Sequence, residues 1–67
     1  MEKAIKVMDM FVDKVNEERA NGNYNTADDY LDMLCGAMCV FNEYETGKHL
    51  ATLEEVNNVI KVVIKEV

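Results

Sequence analysis

The chain has 67 residues, about half of them hydrophobic, a net charge of −6 at pH 7, and neither proline nor tryptophan. A chain of this length forms one domain with a small core, and its low glycine and proline content argues against disorder and against a turn-rich β fold. The acidic charge disfavours direct binding to nucleic acid or an anionic membrane, and the longest uncharged apolar run, 33–41, is far shorter than the roughly 20 residues of a membrane span.

The first predicted element is an amphipathic helix over residues 2–20. Apolar residues recur at helical spacing along one side, and charged residues occupy the other side; the apolar set is Ala4, Ile5, Val7, Met8, Phe11, Val12 and Val15. Gly22, in the sequence Asn-Gly-Asn, suits the left-handed conformation that ends many helices. The pattern therefore predicts a helix that buries one face and ends near residue 20.

A second helix is predicted over residues 27–46, with Thr26 as its N-cap and Gly47 as its stop. Its apolar residues cover a wide arc of the helix surface. One neighbour could not cover such an arc, so the sequence predicts a central hydrophobic helix with other helices packed on more than one side.

The two cysteines, Cys35 and Cys39, lie four residues apart in this second helix. A tetrahedral zinc site needs four ligands, and His49 is the only other strong candidate ligand, so we interpret both cysteines as small buried core residues. Free thiols without a secretory signal are typical of a reducing cytoplasm. We predict no catalytic residue, no metal site and no cofactor.

The sequence Thr-Leu-Glu-Glu at 52–55 matches a capping box and predicts a third helix over residues 53–66. The run VIKVVIKEV at 59–67 is rich in β-branched residues and is also compatible with a strand. Helix is favoured because an isolated strand would have no partner. The prediction is an all-α, three-helix unit, a single domain over residues 1–67, which forms a homo-oligomer to stabilise its small core.

The acidic charge is concentrated in residues 21–47, which carry five acidic and no basic side chains. A glycine in mid-helix costs about 0.5–1 kcal/mol relative to alanine, and the dipole disfavours acidic residues near a helix C-terminus. The second helix breaks both preferences, and such departures tend to mark functional sites. We therefore predict a partner-binding face formed by Asp28, Asp29, Asp32, Gly36, Glu43 and Glu45.

These features favour a small cytoplasmic protein-interaction module, such as a phage-type inhibitor or adaptor that binds a basic surface of a host protein through the acidic face of the second helix. An enzyme is the least favoured class, because the chain has no serine and a single histidine. Two alternatives stay open. One is a helical oligomer that binds a small molecule in pockets between subunits, and the other is a subunit of a larger assembly.

Overall fold

A computed structural model describes residues 1–67 and contains two helices followed by a two-stranded antiparallel sheet. The predicted all-α three-helix unit is therefore wrong, because the segment predicted as a third helix forms part of a β-hairpin. The elements are helix α1 at Glu2–Ala20, helix α2 at Tyr24–Tyr44, strand β1 at His49–Val56 and strand β2 at Val59–Glu66.

The two helices are joined by the short Asn-Gly-Asn turn. α1 has the predicted bounds, and Gly22 takes a positive φ of 78° just after it. The backbone N–H of Asn23 donates to the carbonyl oxygen of Glu18 at 2.8 Å, which closes the end of α1. α2 begins at Tyr24, before the predicted start at 27, so Thr26 lies inside the first turn of the helix and does not cap it.

The β-hairpin turns at Asn57 and Asn58, whose φ angles are 52° and 67°. A two-residue hairpin turn needs positive φ at its central positions, and asparagine tolerates this conformation better than most residues do. The strands pair from His49–Glu66 at the open end to Val56–Val59 beside the turn. The strand that β2 pairs with is thus β1, the segment immediately before the turn.

Three local features favour this hairpin over the predicted helix. Five of the eight residues of β2 are valine or isoleucine, which pack well on a pleated surface. Two successive asparagines with positive φ end any helix at that point. Glu54, assigned above to a capping box, instead pairs across the strands with Lys61. The Oε1 atom of Glu54 lies 3.7 Å from the Nζ atom of Lys61.

The core lies between the helix pair and the hairpin. Only eight residues are buried, and α2 contributes three of them at seven-residue spacing, Ala27, Leu34 and Phe41. The expectation that α2 is covered on several sides by helices is wrong, because Met33 and Val40 are each 53% exposed. The buried set is Met8, Val12, Val15, Ala27, Leu34, Phe41, Ala51 and Ile60.

Two asparagine side chains attach the hairpin to the helices. Asn42 of α2 donates from Nδ2 to the carbonyl oxygen of Ala51 at 3.1 Å and accepts the Ala51 N–H at 2.7 Å. Asn16 of α1 forms the same pair of bonds with Ile60, both at 2.9 Å. Each side-chain amide thus hydrogen-bonds the backbone N–H and carbonyl oxygen at the edge of one strand, as a neighbouring strand would. At the tip, Arg19 Nη1 donates to Glu55 Oε1 at 2.7 Å.

Candidate functional site

The exposed side of α2 carries a line of acidic residues that we call the acidic row: Asp28, Asp29, Asp32, Gly36 and Glu43. All five are exposed, and spacings of four and seven residues align most of them along one side of the helix. None of the four carboxylates forms an ion pair, although other acidic residues of the chain pair with Lys14, Arg19, His49 and Lys61. The row is therefore a surface of uncompensated negative charge.

Glu45, the sixth predicted site residue, lies apart from this row. It follows the end of α2, and its backbone N–H donates to the carbonyl oxygen of Phe41 at 2.9 Å. Its carbonyl oxygen accepts the N–H groups of Lys48 and His49, both at 2.9 Å, and its Oε1 lies 3.0 Å from His49 Nδ1. These contacts give Glu45 a role in the turn that leads from α2 into β1.

Gly36 lies in the middle of the acidic row and has an open environment. A Cβ atom built on Gly36 would meet no atom within 4 Å. Close packing within the chain therefore does not account for the glycine, and its φ is not in the positive range that requires one. The backbone is accessible there to another molecule.

The two cysteines border the acidic row. Cys35 lies three residues after Asp32, and Cys39 lies three residues after Gly36, so each shares a side of the helix with a row residue. Both thiols are free and exposed, so their prediction as buried core residues is wrong. No three His, Cys, Asp or Glu side chains come together in a group that could hold a metal ion.

A second feature of the helix pair is apolar and exposed. At about 100° per residue, Val7 and Val40 lie on roughly the opposite side of their helices from Asn16 and Asn42, which bind the hairpin. Val7 is 43% exposed and Tyr44 is 84% exposed. We call this surface the open face, and it comprises Met1, Ala4, Val7, Met33, Ala37, Val40 and Tyr44.

One end of the open face forms a groove between the start of α1 and the end of α2. Its cavity volume is about 500 Å³. Seven of the eight lining residues are hydrophobic, and the single polar one is Glu45. The lining consists of Met1, Ala4, Val7, Ala37, Val40, Phe41, Tyr44 and Glu45.

Sequence reasoning missed the open face because it assigned the apolar arc of α2 to contacts with helices on more than one side. The available signal was the width of that arc, which exceeds what α1 and a small hairpin can cover. Neither α1 nor α2 is long and apolar enough to cross a membrane. No protein-family model matches the chain, and no curated protein or solved structure is significantly similar to it.

Proposed function

We propose that this protein is a cytoplasmic interaction module that binds a basic surface of a partner protein through the acidic row. The observation that carries this proposal is the set of four exposed carboxylates with no cation opposite them in the chain. Asp28 and Asp32 lie one helical turn apart, where like charges destabilise a helix. A lysine- or arginine-rich partner would remove that repulsion on binding.

Gly36 supports the same surface. A glycine in mid-helix lowers helix stability by about 0.5–1 kcal/mol relative to alanine, and no contact within the chain offsets this cost. The missing side chain leaves a notch in which a long basic side chain can lie close to the helix backbone. The exposed thiols of Cys35 and Cys39 support a reducing compartment, the cytoplasm.

An acidic surface of this kind acts mainly by attracting and orienting a basic partner. Complementary charges raise the association rate and exclude acidic competitors, and their effect falls as salt screens them. A phage-type inhibitor or an adaptor fits this mode, because a small acidic chain can occupy a basic functional surface of a larger host protein. The expected binding is therefore strong at low ionic strength and weak at high ionic strength.

The test compares proteins captured from the native host by the wild type and by two charge variants. The row variant carries Asp28→Asn and Asp32→Asn. The matched control carries Asp9→Asn and Asp13→Asn, which remove the same charge at the same spacing from the exposed side of α1. We expect the wild type and the control to retain the same basic proteins and to release them as salt is raised. The row variant should not retain them. Equal capture by the row variant would refute the proposal.

A second candidate function, binding of a small apolar ligand, is favoured by the groove on the open face. Its volume of about 500 Å³ lies in the range of ligand pockets, and its lining is mostly apolar. Of the tyrosines, Tyr44 lines the groove, whereas Tyr30 packs on Phe11 with ring centroids 6.5 Å apart. Binding of an apolar fluorescent dye that is insensitive to salt and lost in Val40→Trp would support this function over the first.

A further inference from the structure

The open face has charged residues of opposite sign on its two flanks. On α1, Lys3 and Lys14 lie four residues before and seven residues after Val7, so the three side chains share one stripe of the helix. On α2, Asp29 and Glu43 flank the stripe of Val40. The open face is thus an apolar strip with lysines along its α1 side and carboxylates along its α2 side.

The charges also lie at matching heights along the helix pair. Ala4 and Val7 line the same groove as Val40 and Tyr44, so the start of α1 lies level with the end of α2. Lys3 is therefore level with Glu43, which precedes Tyr44. Further along, the rings of Phe11 and Tyr30 are neighbours. Lys14, one turn after Phe11, accordingly lies near the height of Asp29, which precedes Tyr30.

We propose that the open face binds the open face of a second copy of this chain, with a two-fold axis parallel to the helices. α1 of each copy then lies over α2 of the other, and the four helices form an antiparallel bundle with the hairpins outside. In this arrangement Val7 meets Val40 of the other copy. Lys3 opposes Glu43, and Lys14 opposes Asp29, and each contact occurs twice.

The charge pattern selects this axis over the other symmetric choice. An axis perpendicular to the helices would place α1 over α1 and α2 over α2, running in opposite directions. Lys3 would then face Lys14 of the other copy, and Asp29 would face Glu43. Like charges held opposite each other are destabilising, whereas the parallel axis pairs every one of these groups with its opposite.

Lys14 remains available for this contact. Its Nζ lies 3.8 Å from Glu17 Oε2 within the chain, and the two side chains are 47% and 57% exposed. Such an exposed pair has little energy to lose, so exchange of Glu17 for a carboxylate of the second copy is easy. Lys3 has no ion-pair partner within the chain.

The size of the surface agrees with a dimer. A standard interface removes roughly 800 Å² from each partner, and this is about a sixth of the chain's 4699 Å² surface. The molecule measures 38 × 19 × 16 Å, so an interface of this size would occupy essentially the whole of one broad side. Only eight of 67 residues are buried in the single chain, and the dimer adds the apolar core that so small a domain lacks.

The test uses charge reversal and the mass in solution. The lysine-flank variant carries Lys3→Glu and Lys14→Glu, and the carboxylate-flank variant carries Asp29→Lys and Glu43→Lys. Each variant alone places like charges across both halves of the interface. Its dimerisation affinity should fall by about tenfold or more. Light scattering should then give the monomer mass of 7.6 kDa at concentrations where the wild type gives twice that value.

An equimolar mixture of the two variants is the decisive measurement. In a mixed dimer, a carboxylate of one chain faces a lysine of the other at every contact, so the mixture should regain the dimer mass at wild-type concentrations. The control variant Lys6→Glu with Lys65→Glu makes the net charge as negative as the lysine-flank variant does, but outside the open face, and it should stay dimeric. Circular dichroism confirms that each variant is folded.

Three results would overturn the dimer: a wild type that is monomeric at every concentration, a mixture that stays monomeric, or a control that dissociates as the flank variants do. Asp29 and Glu43 belong both to the acidic row and to the dimer contact. The two proposals are still tested separately, because the row variant changes only Asp28 and Asp32, and Asp28 lies about 120° around α2 from Val40. A wild type that is monomeric but still loses its basic partners in the row variant would refute the dimer alone.

Discussion

Both sides of the helix pair carry apolar residues at helical spacing, but one side is buried and the other is exposed. On the side that faces the hairpin, Leu34 and Val15 are fully buried, and Asn16 and Asn42 hydrogen-bond the strands. On the open face, Val40 repeats the same helical spacing and is 53% exposed. Helical apolar periodicity therefore does not by itself identify the stripe that folds the domain. The stripe next to the asparagines does so here, and the other is free for association.

The greatest loss of stability should distinguish two adjacent residues of α2 that lie on opposite sides of the helix pair. Leu34→Ala should lower the free energy of unfolding by about 2–5 kcal/mol, because it leaves a cavity in the centre of the core. Met33→Ala should change it by less than about 0.5 kcal/mol, since the side chain is 53% exposed. Urea denaturation at a concentration that keeps the chain monomeric measures both. Similar losses for the two variants would show that the open face is buried.

The next effect concerns the asparagine contacts of the covered side. Asn42→Ala should cost about 1–3 kcal/mol, because it leaves the N–H and the carbonyl of Ala51 without partners. Hydrogen exchange should show the Ala51 amide losing its protection while the amides of α1 keep theirs. Asn25→Ala, an exposed change on α2, is the control and should leave the Ala51 amide protected. Equal protection in both variants would argue against the edge contact.

A smaller change in stability is expected at the hairpin turn, and its sign distinguishes a hairpin from a helix. Asn58→Val should destabilise the protein by about 1–2 kcal/mol, because a β-branched residue is strained at a φ of 67°. Asn58→Gly should be neutral or stabilising, since Asn-Gly is the preferred pair for this turn. In a helix the order would reverse, with glycine the worse residue. Thermal denaturation of the two variants therefore distinguishes hairpin from helix.

The same residues show how far the sequence could predict the fold. The bounds of α1 followed from its clear amphipathic pattern and from Gly22, which are local signals. The hairpin did not, because Leu53, Val56 and Ile60 recur at the three- and four-residue spacing of a helix, across the position where the chain turns. The deciding signal was the pair Asn57-Asn58, a turn between two apolar runs, which a helix would have had to place in its interior.

The positions of the candidate site residues on α2 could be predicted better than the fold around them, whereas their role in binding stays a prediction. Asp28, Asp32, Gly36 and Glu43 share a side of α2 because helical spacing alone determines that placement. Glu45 was misplaced because its location depends on where α2 ends. The burial of Cys35 and Cys39 was wrong for a tertiary reason: no third helix exists to cover them.

The smallest expected effect compares two glycines that differ in backbone conformation. Gly36→Ala should raise the free energy of unfolding by about 0.5–1 kcal/mol, because the new methyl group meets nothing within 4 Å and alanine favours the helix. Gly22→Ala should lower it by about 1 kcal/mol, since its φ of 78° strains any Cβ although the space around it is equally open. Urea denaturation of both variants gives the two signs.

Partner capture then decides what the notch at Gly36 does. If a basic side chain lies against the α2 backbone, Gly36→Ala should be more stable than the wild type and yet retain less of the partner, whereas Gly22→Ala should retain it fully while folded. A variant that is both more stable and undiminished in capture would show that the notch has no part in binding. The acidic row would then act through its charge alone, since Asp28 and Asp32 remain exposed and unpaired in either case.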